Sequence, residues 1–207
     1  MRWTLALLLS LFAGVGALYW GTAGFTALTA EDARRQDVAL DPPSLPDAWV
    51  LGADGRTVSL REALSADGRV AIVNFFYSRC ASLCLSQGVQ TERLQQAIDE
   101  RGLTARVRLL SISFDPRDQG RELAGYAGRM SAHPEIWRFL SFADPGGRDR
   151  LLRLFGIVVV PAPLGQFEHN AAFHVVTPDG RLARIVDLDD PGEALRVAEG
   201  LAARASR

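Results

Sequence analysis

The only two cysteines of this 207-residue chain, Cys80 and Cys84, lie four positions apart, just after the apolar run from Val70 to Tyr77. A thiolate serves both as a soft metal ligand and as a nucleophile. Two side chains spaced i,i+4 on a helix share one face, with β-carbons ~5–6 Å apart. Both sulfurs then reach one metal ion, and the separation lies near the outer limit of relaxed disulfide geometry. The flanking residues suit a strand-to-helix junction in which Ser82 caps the helix and Cys80 sits just outside its amino terminus. The partial positive charge there, with Arg79 adjacent, favours thiolate over thiol. The plain alternative is two buried cysteines acting as small hydrophobes, but such residues usually sit inside an element rather than at a junction.

Two thiolates alone leave a metal site incomplete, and the chain has three histidines. His133 precedes Pro134 at the end of an expected helix and reads as a solvated or capping residue. His174 falls within the strand expected at Ala171–Thr177, where a packed, hydrogen-bonded histidine is the default. His169 lies on the polar stretch from Gln166 to Asn170, a loop entering that strand. By residue type alone it is equally a ligand or a solvated side chain. Glu168 beside it is a candidate for orienting the imidazole. Thiolates with an imidazole select copper(I) or zinc over calcium or magnesium. Structural zinc takes four protein ligands; with three candidates, a low-coordinate copper(I) site fits better.

Composition removes several other chemistries. The formal net charge of -1 supplies no basic face for a nucleic-acid partner. Every basic side chain apart from histidine is Arg, so there is no lysine nucleophile and no phosphate loop ending in Gly-Lys-Ser/Thr. Neither Gly-x-Ser-x-Gly nor His-Glu-x-x-His occurs.

Residues 1–30 form a targeting or anchoring segment. No charge occurs from Trp3 to Ala30, and Trp3–Trp20, as a helix, spans ~27 Å, close to the bilayer's hydrocarbon thickness. Trp3 and Tyr19-Trp20 stand where interfacial aromatic belts would. Arg2 in front and Glu31-Asp32 behind place the amino terminus in the cytoplasm and the remainder outside, in the periplasm or its equivalent. A cleaved signal peptide is the competing reading, with Gly21-Thr22-Ala23 as its best small-x-small site. Either reading exports the thiols to an oxidising compartment. Residues 31–46, polar with Pro42, Pro43 and Pro46, read as a linker.

Residues 47–207 read as one domain. A hairpin turns at Asp54-Gly55, and Ser59 with Glu62 caps a short helix. Apolar strands are expected at 70–77, 107–114 and 137–142, each followed by a helix, with Asp118 as the cap of the second. Ile157–Val160 reads as a short strand followed by loop. A hairpin about Pro178-Asp179-Gly180 and a helix from Pro191 complete the chain. Parallel crossovers followed by an antiparallel hairpin predict an α/β fold, a mixed central sheet with helices on both faces. With the cysteines after the first crossover strand, this is the thioredoxin-like arrangement. In such folds the loop carrying His169 faces the cysteine pair.

Three segments carry a family resemblance. Asn74-Phe75-Phe76-Tyr77-Ser78-Arg79-Cys80-x-x-x-Cys84 resembles the Sco/SenC copper chaperones, as does Ser113-Phe114-Asp115-Pro116-Arg117-Asp118. Glu168-His169-Asn170 before Pro178-Asp179-Gly180 is similar to that family's Asp-His-Ser segment and turn, with Glu for Asp and Asn for Ser. The usual proline after each cysteine is replaced by Ala81 and Leu85. The resemblance implies a thioredoxin-like domain binding copper through Cys80, Cys84 and His169. It also implies a client, the copper-centre subunit of cytochrome c oxidase or another exported copper protein. A thiol–disulfide oxidoreductase keeping a copper protein's cysteines reduced is the alternative, although thioredoxin-type exchange normally uses Cys-x-x-Cys. A structural disulfide in an exported interaction module is a third reading.

Overall fold

The computed structural model describes residues 2–22, 24, 29–80 and 83–205, without the side chains of residues 2, 5, 6, 8 and 83–85. Ser82 as a helix cap, Ala23 of the candidate cleavage site and the Cys84 side chain therefore lie outside the described residues. Two compact units divide between Asp41 and Pro42.

The first unit holds helix α1 (Arg2–Gly21) and helix α2 (Ala30–Leu40). Every side chain from Leu9 to Gly21 is exposed, including Phe12 and Leu18. Among the described residues no helix is long and apolar enough to cross a membrane. Helix α2 lies within the stretch read as a linker. Thr29 caps it, accepting from the Asp32 N–H at 3.1 Å, while Asp32 accepts from the Thr29 N–H at 3.0 Å. Glu31 then pairs with Arg34 and Arg35 one turn on. Local capping and i,i+4 charge pairs build this helix without an apolar stripe, which is why hydrophobic periodicity misses it.

The second unit is built on seven strands: β1 (Trp49–Gly52), β2 (Thr57–Ser59), β3 (Val70–Phe76), β4 (Val107–Ser113), β5 (Trp137–Phe142), β8 (Ala172–Val176) and β9 (Leu182–Asp187). Two further strands, β6 (Val159–Ala162) and β7 (Gln166–His169), form a separate antiparallel ribbon. The main sheet runs β2-β1-β5-β4-β3-β8-β9. Strands β5, β4 and β3 are parallel, while β1 and β8 join on either side antiparallel. This is the mixed sheet of a thioredoxin-like fold, with the early hairpin added at one edge. All residues of β3 and β4 are buried, as an unalternating apolar run in a parallel sheet requires.

Helices α3 (Leu60–Ser65), α4 (Leu83–Glu100), α5 (Gly120–Arg129), α6 (Pro145–Phe155) and α7 (Pro191–Ala205) connect and cover the strands. Helix α7 packs along β3, β8 and α4, and α5 and α6 pack on β5. Two buried polar side chains tie the core to the cysteine-bearing helix. Asn74 on β3 donates to Thr91 Oγ1 at 2.8 Å, and Gln87 Nε2 donates to the Phe75 carbonyl at 3.0 Å. These bonds fix the early turns of α4 against the carboxyl end of β3, the edge from which the cysteine loop departs.

Candidate functional site

The cysteine loop begins where β3 ends; of the three residues before Cys80, Tyr77 is tied to β7, and Ser78 and Arg79 to the connection between β4 and α5. Tyr77 is 2% exposed, and its phenol lies 3.0 Å from Gln166 Oε1, 3.2 Å from the Phe167 carbonyl and 3.3 Å from the Phe167 nitrogen. Ser78 donates to the Asp118 carboxylate from its N–H at 2.7 Å and from its hydroxyl at 2.5 Å. Arg79 donates to Asp115 Oδ2 at 2.5 Å. The Cys80 N–H closes a turn onto the Tyr77 carbonyl at 3.3 Å, and its side chain is half-buried.

Two sequence expectations change here. Asp118 does not cap α5: the helix starts one residue later, after Gln119, whose N–H is met by Glu122 at 3.4 Å. The Asp118 carboxylate is buried, and three better donors claim it, the third being Ser113 Oγ at 2.6 Å. Arg79, expected to bias Cys80 toward thiolate, spends its charge on Asp115, which also receives Arg117 at 2.9 Å. Burial pushes the Asp115 carboxyl upward. Hydrogen bonds from the Arg117 side chain and N–H and from Arg79 outweigh it and hold the group below its ordinary value of 3.8.

His169 closes β7, so it ends a strand of the ribbon instead of lying on a loop. The sequence missed β7 because its partner, β6, contains Pro161 and ends in a tight turn at Pro163–Gly165. The imidazole packs edge-on against Phe114 and Tyr77, with ring centroids 4.9 and 6.0 Å apart. Its Nδ1 lies 2.9 Å from the Asn170 carbonyl oxygen. A carbonyl only accepts, so Nδ1 carries the proton and Nε2 carries the lone pair. Burial lowers the His169 pKa and the Asn170 bond offsets this only in part, which keeps the ring neutral at pH 7. Glu168 does not orient the ring as expected: it is exposed, and successive strand residues point to opposite faces.

The other histidines behave as the sequence indicates. His174 is buried, with Nε2 3.1 Å from the Phe155 carbonyl. His133 is exposed, and its carbonyl accepts from the Ile136 and Trp137 N–H groups.

The ribbon is therefore fastened to the base of the cysteine loop through Tyr77, and His169 lies on the same aromatic cluster. Among the described residues no three His, Cys, Asp or Glu side chains gather as a metal site; the Cys84 side chain falls outside that description. The donor types nonetheless suit a soft cation. They are a half-buried thiol and a neutral imidazole whose lone pair is fixed on Nε2 by the hydrogen bond at Nδ1. Tyr77, Arg117 and Asn170, which the sequence showed only as members of the family-like segments and without a role, do the holding. Only their closeness to Cys80, Asp115 and His169 signals them.

These elements define a class: a thioredoxin-like domain with an imidazole-bearing ribbon bonded to the root of a cysteine loop. The chain belongs to the SCO1/SenC family, whose sequence profile matches residues 50–203. A SCO1 protein homolog from Bacillus subtilis (strain 168) is 28% identical over 134 residues, spanning 63% of this chain and 67% of the relative. Arabidopsis thaliana ScoI, solved with copper bound, superposes with a TM-score of 0.64 at 17% identity, covering 76% of this chain and 99% of that one. BsSco, a member of the Sco family of cytochrome c oxidase assembly proteins in which a disulfide switch was identified, gives 0.66 at 22%, covering 79% and 95%.

Proposed function

We propose that this chain is a membrane-tethered, extracytoplasmic copper chaperone that holds copper(I) through the Cys80 and Cys84 thiolates and His169 Nε2. The bond from His169 Nδ1 to the Asn170 carbonyl at 2.9 Å carries the reading, because it places the proton on Nδ1 and the lone pair of the neutral ring on Nε2. Copper is cargo here, and two thiolates with one imidazole suit the monovalent ion. The copper bound to the Arabidopsis relative supports the choice of metal. The description of BsSco supports a client in cytochrome c oxidase assembly, its copper-centre subunit or another exported copper protein. Residues 1–30 act as the anchor, 31–46 as the connection and 47–207 as the copper-binding domain. The uncharged run from Trp3 to Ala30 supports the anchor, as do the exposed apolar side chains of Leu9, Leu11, Phe12 and Leu18.

The test is an anaerobic titration of the detergent-solubilised full chain with copper(I) against a competing chelator, alongside Cys80→Ser, Cys84→Ser and His169→Ala. Each substitution should weaken binding, the thiol losses most. Equal affinity with and without the imidazole would sink the three-donor site.

The disulfide switch of BsSco favours a second reading, in which Cys80 and Cys84 cycle between dithiol and disulfide to reduce a copper protein's cysteines. That cycle predicts a reversible two-electron potential in the range of biological thiol couples and turnover on a client disulfide, neither of which needs His169.

A further inference from the structure

We propose that Asn170 is a positioning residue whose side chain staples the base of the β6–β7 ribbon and so locks His169 in the tautomer with its proton on Nδ1 and its lone pair on Nε2. This deepens the copper reading above and rests on it for its functional meaning.

Asn170 makes three hydrogen bonds with three different groups. Its Oδ1 accepts from the Val158 N–H at 2.7 Å, and its Nδ2 donates to the Gly156 carbonyl at 2.8 Å. Its own carbonyl accepts from His169 Nδ1 at 2.9 Å. The amide orientation is fixed by the partners, since an N–H needs the oxygen and a carbonyl needs the nitrogen. Gly156 is the left-handed cap of α6, with φ +69° and its N–H bonded back into the helix. The staple thus ties the end of β7 to the rigid end of a helix before β6 begins. Such a tie matters because an isolated two-stranded ribbon is marginal by itself.

The consequence falls on the imidazole. While the Asn170 carbonyl is held against the ring, a lone pair on Nδ1 would face another lone pair, so Nδ1 keeps the proton. Releasing the side chain lets residue 170 rotate its carbonyl away, and the two neutral tautomers then compete. Asn is the residue that can do this, because it supplies an acceptor and a donor on one planar group. Asp would set an oxygen against the Gly156 carbonyl, and a Ser hydroxyl, one bond shorter, would have to meet both partners from a single atom in place of the two atoms of the amide.

The test uses the full chain in detergent micelles with ¹⁵N-labelled histidine, at pH 8 and without metal, where nitrogen shifts distinguish the tautomers. His174, bonded through Nε2 to Phe155, is the internal control for an intact fold. The wild type should show His169 as a single Nδ1–H tautomer. Asn170→Ala and Asn170→Asp should both give a mixture, with His174 unchanged. In a separate copper(I) titration each variant should bind about tenfold more weakly, as loss of a ligand's outer partner typically does. A pure Nδ1–H tautomer retained in Asn170→Ala overturns the proposal. So does a disturbance of His174 in both variants, which would make Asn170 a general fold element. If the wild type binds copper(I) no better than His169→Ala, the copper reading fails, and the metal-free tautomer result still decides the role of Asn170.

Discussion

Arg117 Nη2 donates to the Gly165 carbonyl at 2.8 Å while the same guanidinium holds Asp115 Oδ2 at 2.9 Å. Arg79, the neighbour of Cys80, reaches that same Asp115 oxygen at 2.5 Å. One fully buried carboxylate therefore links the cysteine loop to the tip of the ribbon that ends in His169. Arg117 also lies over Phe167, 5.6 Å from the ring centroid. Tip, middle and base of the ribbon are held by Arg117, Tyr77 and Asn170 respectively.

Asp115 makes the linkage sensitive to acid. Its folded-state pKa lies below the ordinary 3.8, so the carboxylate's stabilisation is complete above 3.8 and is lost as pH falls through the lower folded value. Asp115→Asn should lower stability by about 1–3 kcal/mol at pH 7, the scale of losing hydrogen bonds to a buried charged group. It should also flatten the dependence of stability on pH below 3.8 and leave it unchanged between pH 5 and 8. Denaturant melts of both chains across pH 2.5–8 check this, and parallel curves in the acid window would refute the assignment.

Gly165 offers a test of the ribbon tip alone. Its φ is +69°, and a β-carbon there would stand 3.0 Å from Arg117 Nη1. Gly165→Ala carries a left-handed penalty of about 1–2 kcal/mol and pushes on the guanidinium that secures the tip. Amide exchange of Phe167 and Glu168 should quicken, while β8 and β9 keep wild-type protection. Uniform quickening across the domain would mean that the tip is not an independent unit.

The central fold was legible because its signals are strong and local. Mainly apolar runs without alternation produced β3 and β4, and Pro178-Asp179-Gly180 produced the hairpin between β8 and β9. The position of Cys80 after a buried strand then located the site. Three parts were not legible. Helix α2 forms from a cap and charge pairs, without an apolar stripe. Of the β6–β7 ribbon the sequence showed only the start of β6, within Ile157–Val160; β7 was read as loop because Gln166–His169 is polar and its partner strand contains Pro161. Asp118 looked like a helix cap because the sequence shows the acceptor but not its donors; Ser78, 40 residues away, arrives only when β3 and β4 pair.

Tyr77→Phe keeps the ring packed on Phe114 and Phe167 and removes only the hydroxyl. Its loss strands the Phe167 N–H and carbonyl in a half-buried setting, at a cost of about 1–3 kcal/mol. The cost should appear as reduced ribbon protection in amide exchange, with the aromatic cluster intact by near-ultraviolet circular dichroism. A stability equal to wild type would indicate that water replaces the phenol without penalty.

Asp118 tests the other anchor of the cysteine loop. Its carboxylate is 1% exposed and accepts from the Ser78 N–H, the Ser78 hydroxyl and the Ser113 hydroxyl, all within 2.7 Å. Asp118→Ala leaves all three donors without their acceptor. Charged hydrogen bonds are worth about 1.5–3 kcal/mol each and are not additive, so a loss of about 3 kcal/mol is expected. Asp118→Asn keeps one oxygen for the Ser78 N–H and should fall between wild type and Ala. Freeing Ser78 also frees the turn that carries Cys80, so in a Cys84→Ser background iodoacetamide should alkylate Cys80 faster in the order Ala, Asn, wild type. An Asp118→Ala chain with unchanged stability and an unchanged alkylation rate would remove Asp118 from the site.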